Sequence, residues 1–157
     1  MDVRPLRPDE VPTFVDDLWL PFATEMGNLD EHDALAGDEY VRVNALAYRQ
    51  AQLADEDVQT FVAEADGSQT GYTTVSYSES PPVFARGATA KVTELYVEPD
   101  ARGSGLGTAL LERAHEWGER RGCEHAALSV HARNETAQAC YEAAGYETRY
   151  LKMDRQL

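Results

Sequence analysis

One segment constrains this chain more than any other: Leu95-Tyr96-Val97-Glu98-Pro99-Asp100-Ala101-Arg102-Gly103-Ser104-Gly105-Leu106-Gly107-Thr108. A strand-like run stops at Pro99, which has no N–H to give to a sheet ladder. Three glycines then alternate. After them Leu106, Leu110, Leu111, Ala114 and Trp117 recur at helical spacing, with Gly122 placed to cap the helix. The segment therefore predicts strand, tight loop and amphipathic helix. Glycine leaves no Cβ to keep a ligand away from the backbone N–H groups. Those groups, with the positive end of the helix dipole, make an anion site. Arg102 adds a fixed positive charge beside it, and a diphosphate is the guest such a loop suits.

Two common diphosphate motifs fail on position. A P-loop needs Gly-Lys-Ser/Thr, but Gly107 is followed directly by Thr108. A dinucleotide fingerprint needs G-x-G-x-x-G, whereas the spacing here is G-x-G-x-G. It also expects an acidic residue after the next strand, where this chain has Ser129 and His131.

The rest of the chain reads as alternating strands and helices. Val3–Arg7 predicts a short strand, and Asp9 the N-cap of a helix carrying Val11, Phe14, Val15, Leu18 and Phe22 on one face. Pro21 is expected to end or kink that helix. Asn28–Gly37 is loop-like, and a second helix is expected over Asp38–Ala54. Val58–Ala65 and Thr70–Ser78 flank Asp66-Gly67-Ser68-Gln69, a hairpin turn. Pro81, Pro82 and Gly87 mark a loop before the strand Thr89–Val97. Ala126, Leu128 and Val130 alternate as a further strand, Glu135–Ala144 predicts a helix closed by Gly145, and Tyr146–Arg155 a last strand. The order β-α-α-β-β-β-α-β-α-β gives an α/β (α+β) fold. Its sheet is mixed and mostly antiparallel, of six to seven strands, with about four helices.

With 157 residues and 43% hydrophobic content, the chain is expected to form a single domain over residues 1–157 with a real core. No run is apolar enough to span a bilayer, and Met1–Arg7 has no apolar signal-peptide region, so the expected location is the cytoplasm. The formal charge of −14 opposes binding to nucleic acid or anionic membranes. Such an acidic, lysine-poor surface reads as a solubility device for a salty interior, of the halophilic type, rather than a substrate-steering one. Cys123 and Cys140 match neither a metal pair nor a disulfide framework and read as small buried hydrophobes. No His, Cys and carboxylate spacing suggests a metal site. Assembly is open, with the homodimer the commonest solution.

Two segments resemble the GCN5-related N-acetyltransferase (GNAT) family. Its cofactor motif, Gln/Arg-x-x-Gly-x-Gly/Ala, is met by Arg102, Gly105 and Gly107, after the customary Val-x-Pro at Val97 and Pro99. Its second motif, Asn-x-x-Ala-x-x-x-Tyr-x-x-x-Gly-Phe, is met from Asn134 through Tyr141 and Gly145, with Tyr146 in place of the usual Phe. The closing Tyr150–Met153 is similar to family C-termini. The resemblance implies a GNAT-like fold and direct transfer of an acetyl group from acetyl-CoA, as co-substrate, to an amine. Main-chain groups of Leu95, Tyr96 and Val97 are then expected to meet the pantetheine. The Arg102, Gly103, Ser104, Gly105, Leu106, Gly107 and Thr108 loop is expected to hold the diphosphate, and Asn134 to bond near the pantetheine. Tyr141 falls on the family's general acid, which protonates the leaving thiolate. Glu94, on the strand that meets the thioester, is the candidate base, acting through water. His131 is a weaker candidate to face the acceptor. The acceptor amine, a small molecule or a protein N-terminus, is recognised in this family by the first helices and the hairpins, here including Asn28–Asp33 and Tyr77–Gly87. The alternative is a non-catalytic acyl-CoA-binding or regulatory module on the same fold.

Overall fold

In the computed structural model, which describes residues 2–157, the tightest local determinant is the Asp66-Gly67 turn. Both residues take positive φ, 52° and 78°, the pair of values a two-residue hairpin turn needs to match strand twist. The turn joins β2 (Val58–Ala65) to β3 (Ser68–Ser78) in register, Ala65 opposite Ser68. Strand β1 (Asp2–Pro5) adds to the outer side of β2, and β4 (Thr89–Val97) to β3. Strand β5 (His125–Leu128) lies parallel to β4, the arrangement expected when a helix carries the chain between them. The sheet thus has five strands in the order β1-β2-β3-β4-β5.

The first helix starts two residues earlier than its sequence suggests. Pro8, whose fixed φ suits a first helical position, opens a 3-10 turn over Pro8–Glu10 that contains Asp9. Glu10, rather than Asp9, accepts the free N–H of Arg7 at 2.9 Å. The rod then runs through α1 (Val11–Phe14), a π turn (Val15–Trp19) and α2 (Leu20–Leu29). Pro21 does not end it. The π turn, closed by Leu20 N–H on Val15 O, widens the helix just where the proline ring and its missing N–H would otherwise strain it. Helix α3 (Asp38–Leu53) packs beside the rod. Phe14, Leu18, Val62, Tyr72 and Tyr96 make the core between these helices and the sheet.

The other face is covered by α4 (Leu106–Arg120), whose Leu111 and Ala114 pack on Phe61, Val75, Ala90 and Val92. Leu106 and Leu110 pack on Ala63. Gly118 of α4 permits this approach, because a Cβ there would stand 2.5 Å from the Ala90 Cβ. Helix α5 (Glu135–Ala143) adds Cys140 and Tyr141 to the same side. Gly145, at φ 96°, closes it.

The sheet is smaller than the six to seven strands expected. Val130 lies beyond β5, which stops at Leu128 because β4 leaves its side at Val92. Tyr146–Arg155 forms no strand, and Tyr150, Leu151 and Met153 stand exposed. The alternation of that segment fits a strand, but a strand is a paired state. Four-residue β5 buries little beyond part of Leu128 and offers almost no covered face for the segment to complete. Among the described residues no helix is long and apolar enough to cross a membrane.

Candidate active site

Strand β4 is shared between two neighbours only in its first half. Thr89–Val92 pair with His125–Leu128, while the β3 ladder continues to Gly71 opposite Val97. From Thr93 onward the side of β4 that faced β5 is open. Glu98 N–H donates to Thr70 O at 2.9 Å. In an antiparallel ladder the bonded residues alternate, so Tyr96 is turned toward Tyr72 of β3, and Leu95 and Val97 present N–H and C=O to the open edge. Of the three residues expected to meet a pantetheine through their main chains, Leu95 offers both groups and Val97 its N–H, its C=O already accepting from Arg102, while Tyr96 is turned away. Its ring instead packs near those of Phe22 and Tyr72.

A bulge marks the point of departure. Thr74 is opposite Glu94 but Val75 is opposite Val92, so Thr93 is the extra residue. The bulge puts Thr93 and Glu94 on one face, where strict alternation would separate them. Both line a cavity of about 450 Å³ with Tyr48, Gln52, Val58 and Ser76.

At the end of β4 the loop is open in the way the glycines suggest. Gly103 and Gly105 take φ of 80° and 84°, values a residue with a Cβ rarely adopts. The first main-chain bond into α4 runs from Ala109 N–H to Gly105 O. Among the described residues, the N–H groups from Gly103 to Thr108 meet no protein acceptor. They stand at the N-terminus of a 15-residue helix, where the dipole favours an anion. Arg102 closes the gap between loop and open edge. Its Nε donates to Val97 O at 2.8 Å, its Nη2 pairs with Glu25 at 2.8 Å, and its guanidinium lies 5.6 Å from the Tyr96 ring. Ser104 Oγ donates to Ala101 O at 2.7 Å, which steadies the turn.

Glu94 is not a free strand carboxylate. Arg49 Nη2 donates to Oε1 at 3.0 Å and to Oε2 at 3.3 Å, and the Tyr72 hydroxyl donates to Oε2 at 3.0 Å. Burial, then the neighbouring Glu94 charge, pushes the Tyr72 phenol well above its ordinary range, so it stays a donor. Tyr141 lies across the sheet from this group. It packs on the cluster containing Val92, the last β4 residue paired to β5, and its ring meets that of Tyr146 edge-on at 6.0 Å. Burial pushes the Tyr141 phenol up to about 12.

Asn134 caps α5, its Oδ1 accepting the Ala137 N–H at 3.1 Å. His131 is engaged elsewhere: its Nδ1 accepts the Arg133 N–H at 3.0 Å and its Nε2 faces Asp30 Oδ2 at 2.7 Å. That pattern is the Nε2–H tautomer donating to Asp30. It ties the loop after α2 to the loop after β5.

A model of the Acetyltransferase (GNAT) family matches residues 17–146. The chain belongs to the GNAT acetyltransferase family. The streptothricin acetyltransferase of Streptomyces lavendulae is 34% identical over 97 residues, covering 61% of this chain and 48% of that protein. The chain spans about half the length of the first curated relatives it matches. The tetramutant of BH1408 protein from Bacillus halodurans has the same fold, with a TM-score of 0.86 at 20% identity over the whole of both chains. A predicted acetyltransferase of Clostridium acetobutylicum, solved with acetyl-CoA, gives 0.76 at 18% identity, covering 98% of this chain and 95% of that one. Those structures place the GNAT fold of this chain, and its loop and open edge suit the diphosphate and amide groups of acetyl-CoA.

The sequence reading missed Arg49 and Tyr72. The signal for Arg49 was present: Val41, Ala45, Arg49 and Leu53 recur every four residues on the inner side of α3. A charge on an apolar stripe needs a buried partner. Nothing local marks Tyr72, whose partner lies 22 residues ahead on another strand.

Proposed function

We propose that this chain moves the acetyl group of acetyl-CoA to a primary amine by direct attack, with Tyr141 and Glu94 as its acid and base. The observation that carries the reading is the row of unpaired N–H groups from Gly103 to Thr108, contiguous with the open edge of Leu95 and Val97. The row suits the diphosphate, and the edge can take pantetheine amides as another strand would. Asn134 stands at the mouth of α5, on the side where Tyr141 packs, and adds a polar group near the pantetheine.

The amine enters from the cavity on the α3 side. Its nitrogen bonds to the thioester carbonyl carbon as the carbon–sulfur bond breaks. Glu94 takes the amine's proton through a water held in the cavity. Tyr141, still protonated at neutral pH because its phenol lies near 12, gives its proton to the departing thiolate. Fixing both partners in line supplies much of the rate. The likeness to a streptothricin acetyltransferase favours a small-molecule amine over a protein N-terminus as acceptor.

A screen of small amines with acetyl-CoA, read as free-thiol release, tests the reading. At least one amine is expected to give thiol release that depends on Glu94, with Glu94→Gln lowering kcat at least tenfold, within the range of general base catalysis. CoA binding without amine-dependent release by any acceptor favours the non-catalytic module instead.

A further inference from the structure

Arg49 has no place in the reaction just described, yet it is the most deeply buried charge among the described residues. Its side chain is 1% exposed. Nη1 donates to Gln52 Oε1 at 2.8 Å, to Thr74 Oγ1 at 3.1 Å and to Thr60 Oγ1 at 3.3 Å, and the two threonine hydroxyls join each other at 2.9 Å. The guanidinium lies 4.8 Å from the Phe14 ring centre and 5.8 Å from that of Tyr72. Nη2 is given wholly to Glu94. Such enclosure is costly, and apolar side chains of similar volume often serve stability as well or better than a buried ion pair. Packing therefore does not explain why a guanidinium stands here. What the guanidinium provides that an apolar residue does not is a fixed carboxylate on the cavity wall.

Resting on the role of Glu94 proposed above, we infer that Arg49, with Tyr72, is a positioning residue that sets Glu94 for the acceptor amine. Arg49 comes from the C-terminal half of α3, Tyr72 from β3 and Glu94 from beside the bulge of β4, so three elements converge on one carboxylate. Both donors reach it from the interior. Oε1, which accepts a single donor, keeps a lone pair for the cavity that Glu94 lines with Thr93, Ser76, Gln52 and Tyr48. Arg49 cannot give up its proton. It thus holds the carboxylate in one orientation and gives it no proton of its own. A lone glutamate on a strand would sample several rotamers, and the amine would meet a productive one only part of the time.

The test measures kcat and KM for the small amine that gives the fastest thiol release in the screen above, at saturating acetyl-CoA, with CoA affinity by calorimetry and folding by circular dichroism. The variants are Glu94→Gln, Arg49→Met, Arg49→Lys, Tyr72→Phe and the Arg49→Met/Glu94→Gln double variant. Arg49→Met is expected to bind CoA within about twofold of wild type while kcat falls about tenfold or more. Arg49→Lys recovers part of that loss, and Tyr72→Phe lowers kcat several-fold. The double variant is no slower than Glu94→Gln alone, because residues acting as one unit are not additive. Should Arg49→Met fail to fold, Tyr72→Phe and Arg49→Lys carry the same comparison. A folded Arg49→Met, or else Tyr72→Phe with Arg49→Lys, at wild-type kcat beside an impaired Glu94→Gln overturns this inference alone. Losses that multiply in the double variant overturn it as well. Glu94→Gln at wild-type kcat overturns the role of Glu94 and this inference with it.

Discussion

Tyr141 illustrates how burial shapes one side chain for a task. Its phenol sits near 12 because the packed face of α5 disfavours the phenolate. The group stays protonated up to that pH, so the acid is not exhausted in the range where amines lose their protons. We expect kcat to show no loss assignable to Tyr141 below about pH 11. Tyr141→Phe should lower kcat by roughly ten- to a hundredfold, toward the lower end of what a general acid contributes, with CoA affinity within about twofold. An unchanged kcat would leave Tyr141 as a packing residue. The same shift acts on stability. The native phenol is raised above the unfolded value of about 10, so its contribution is complete below pH 10 and is lost as pH climbs toward 12. Tyr146, also pushed to about 12 by burial, adds to that alkaline loss.

At the level of helices and strands, the outcome depended on whether a signal was local. The stripe of Leu106, Leu110, Leu111 and Ala114, the Asp66-Gly67 turn and the glycine loop each carry their geometry in adjacent residues, and each formed where expected. Three features did not follow from local pattern. The π turn lets the helix run on past Pro21, where the sequence suggested a break, and the bulge at Thr93 appears only in the β3–β4 register. The missing strand over Tyr146–Arg155 reflects the lack of an edge and a covered face, not of suitable residues. Gly118 is a further case, since only the assembled sheet shows why it is small. Alanine at 118 gains about 1 kcal/mol of helix propensity. Its Cβ, however, would sit 2.5 Å from that of Ala90, and overpacking costs about 1–3 kcal/mol. Gly118→Ala is expected to lower Tm by a few degrees. A higher Tm would show that α4 can withdraw from β4 freely.

Taken whole, the molecule sets a local attraction against a general repulsion. It carries a formal charge of −14, and CoA is itself an anion, so long-range electrostatics oppose the approach. What overcomes this is short-range: N–H groups without partners at a helix terminus, gathered where β4 ends and α4 begins, beside an Arg102 that is paired with Glu25. The five-stranded sheet serves that junction by letting β5 part from β4 at Val92, which exposes the edge beside the loop. The most direct measurement is a titration of ¹⁵N-labelled protein with acetyl-CoA, following backbone amides by NMR. The expected result is saturable binding in which the Gly103, Ser104, Gly105, Leu106, Gly107 and Thr108 resonances move most, with Leu95 and Val97 next. Absence of binding at millimolar ligand, or saturation that leaves the 103–108 amides in place, would contradict it.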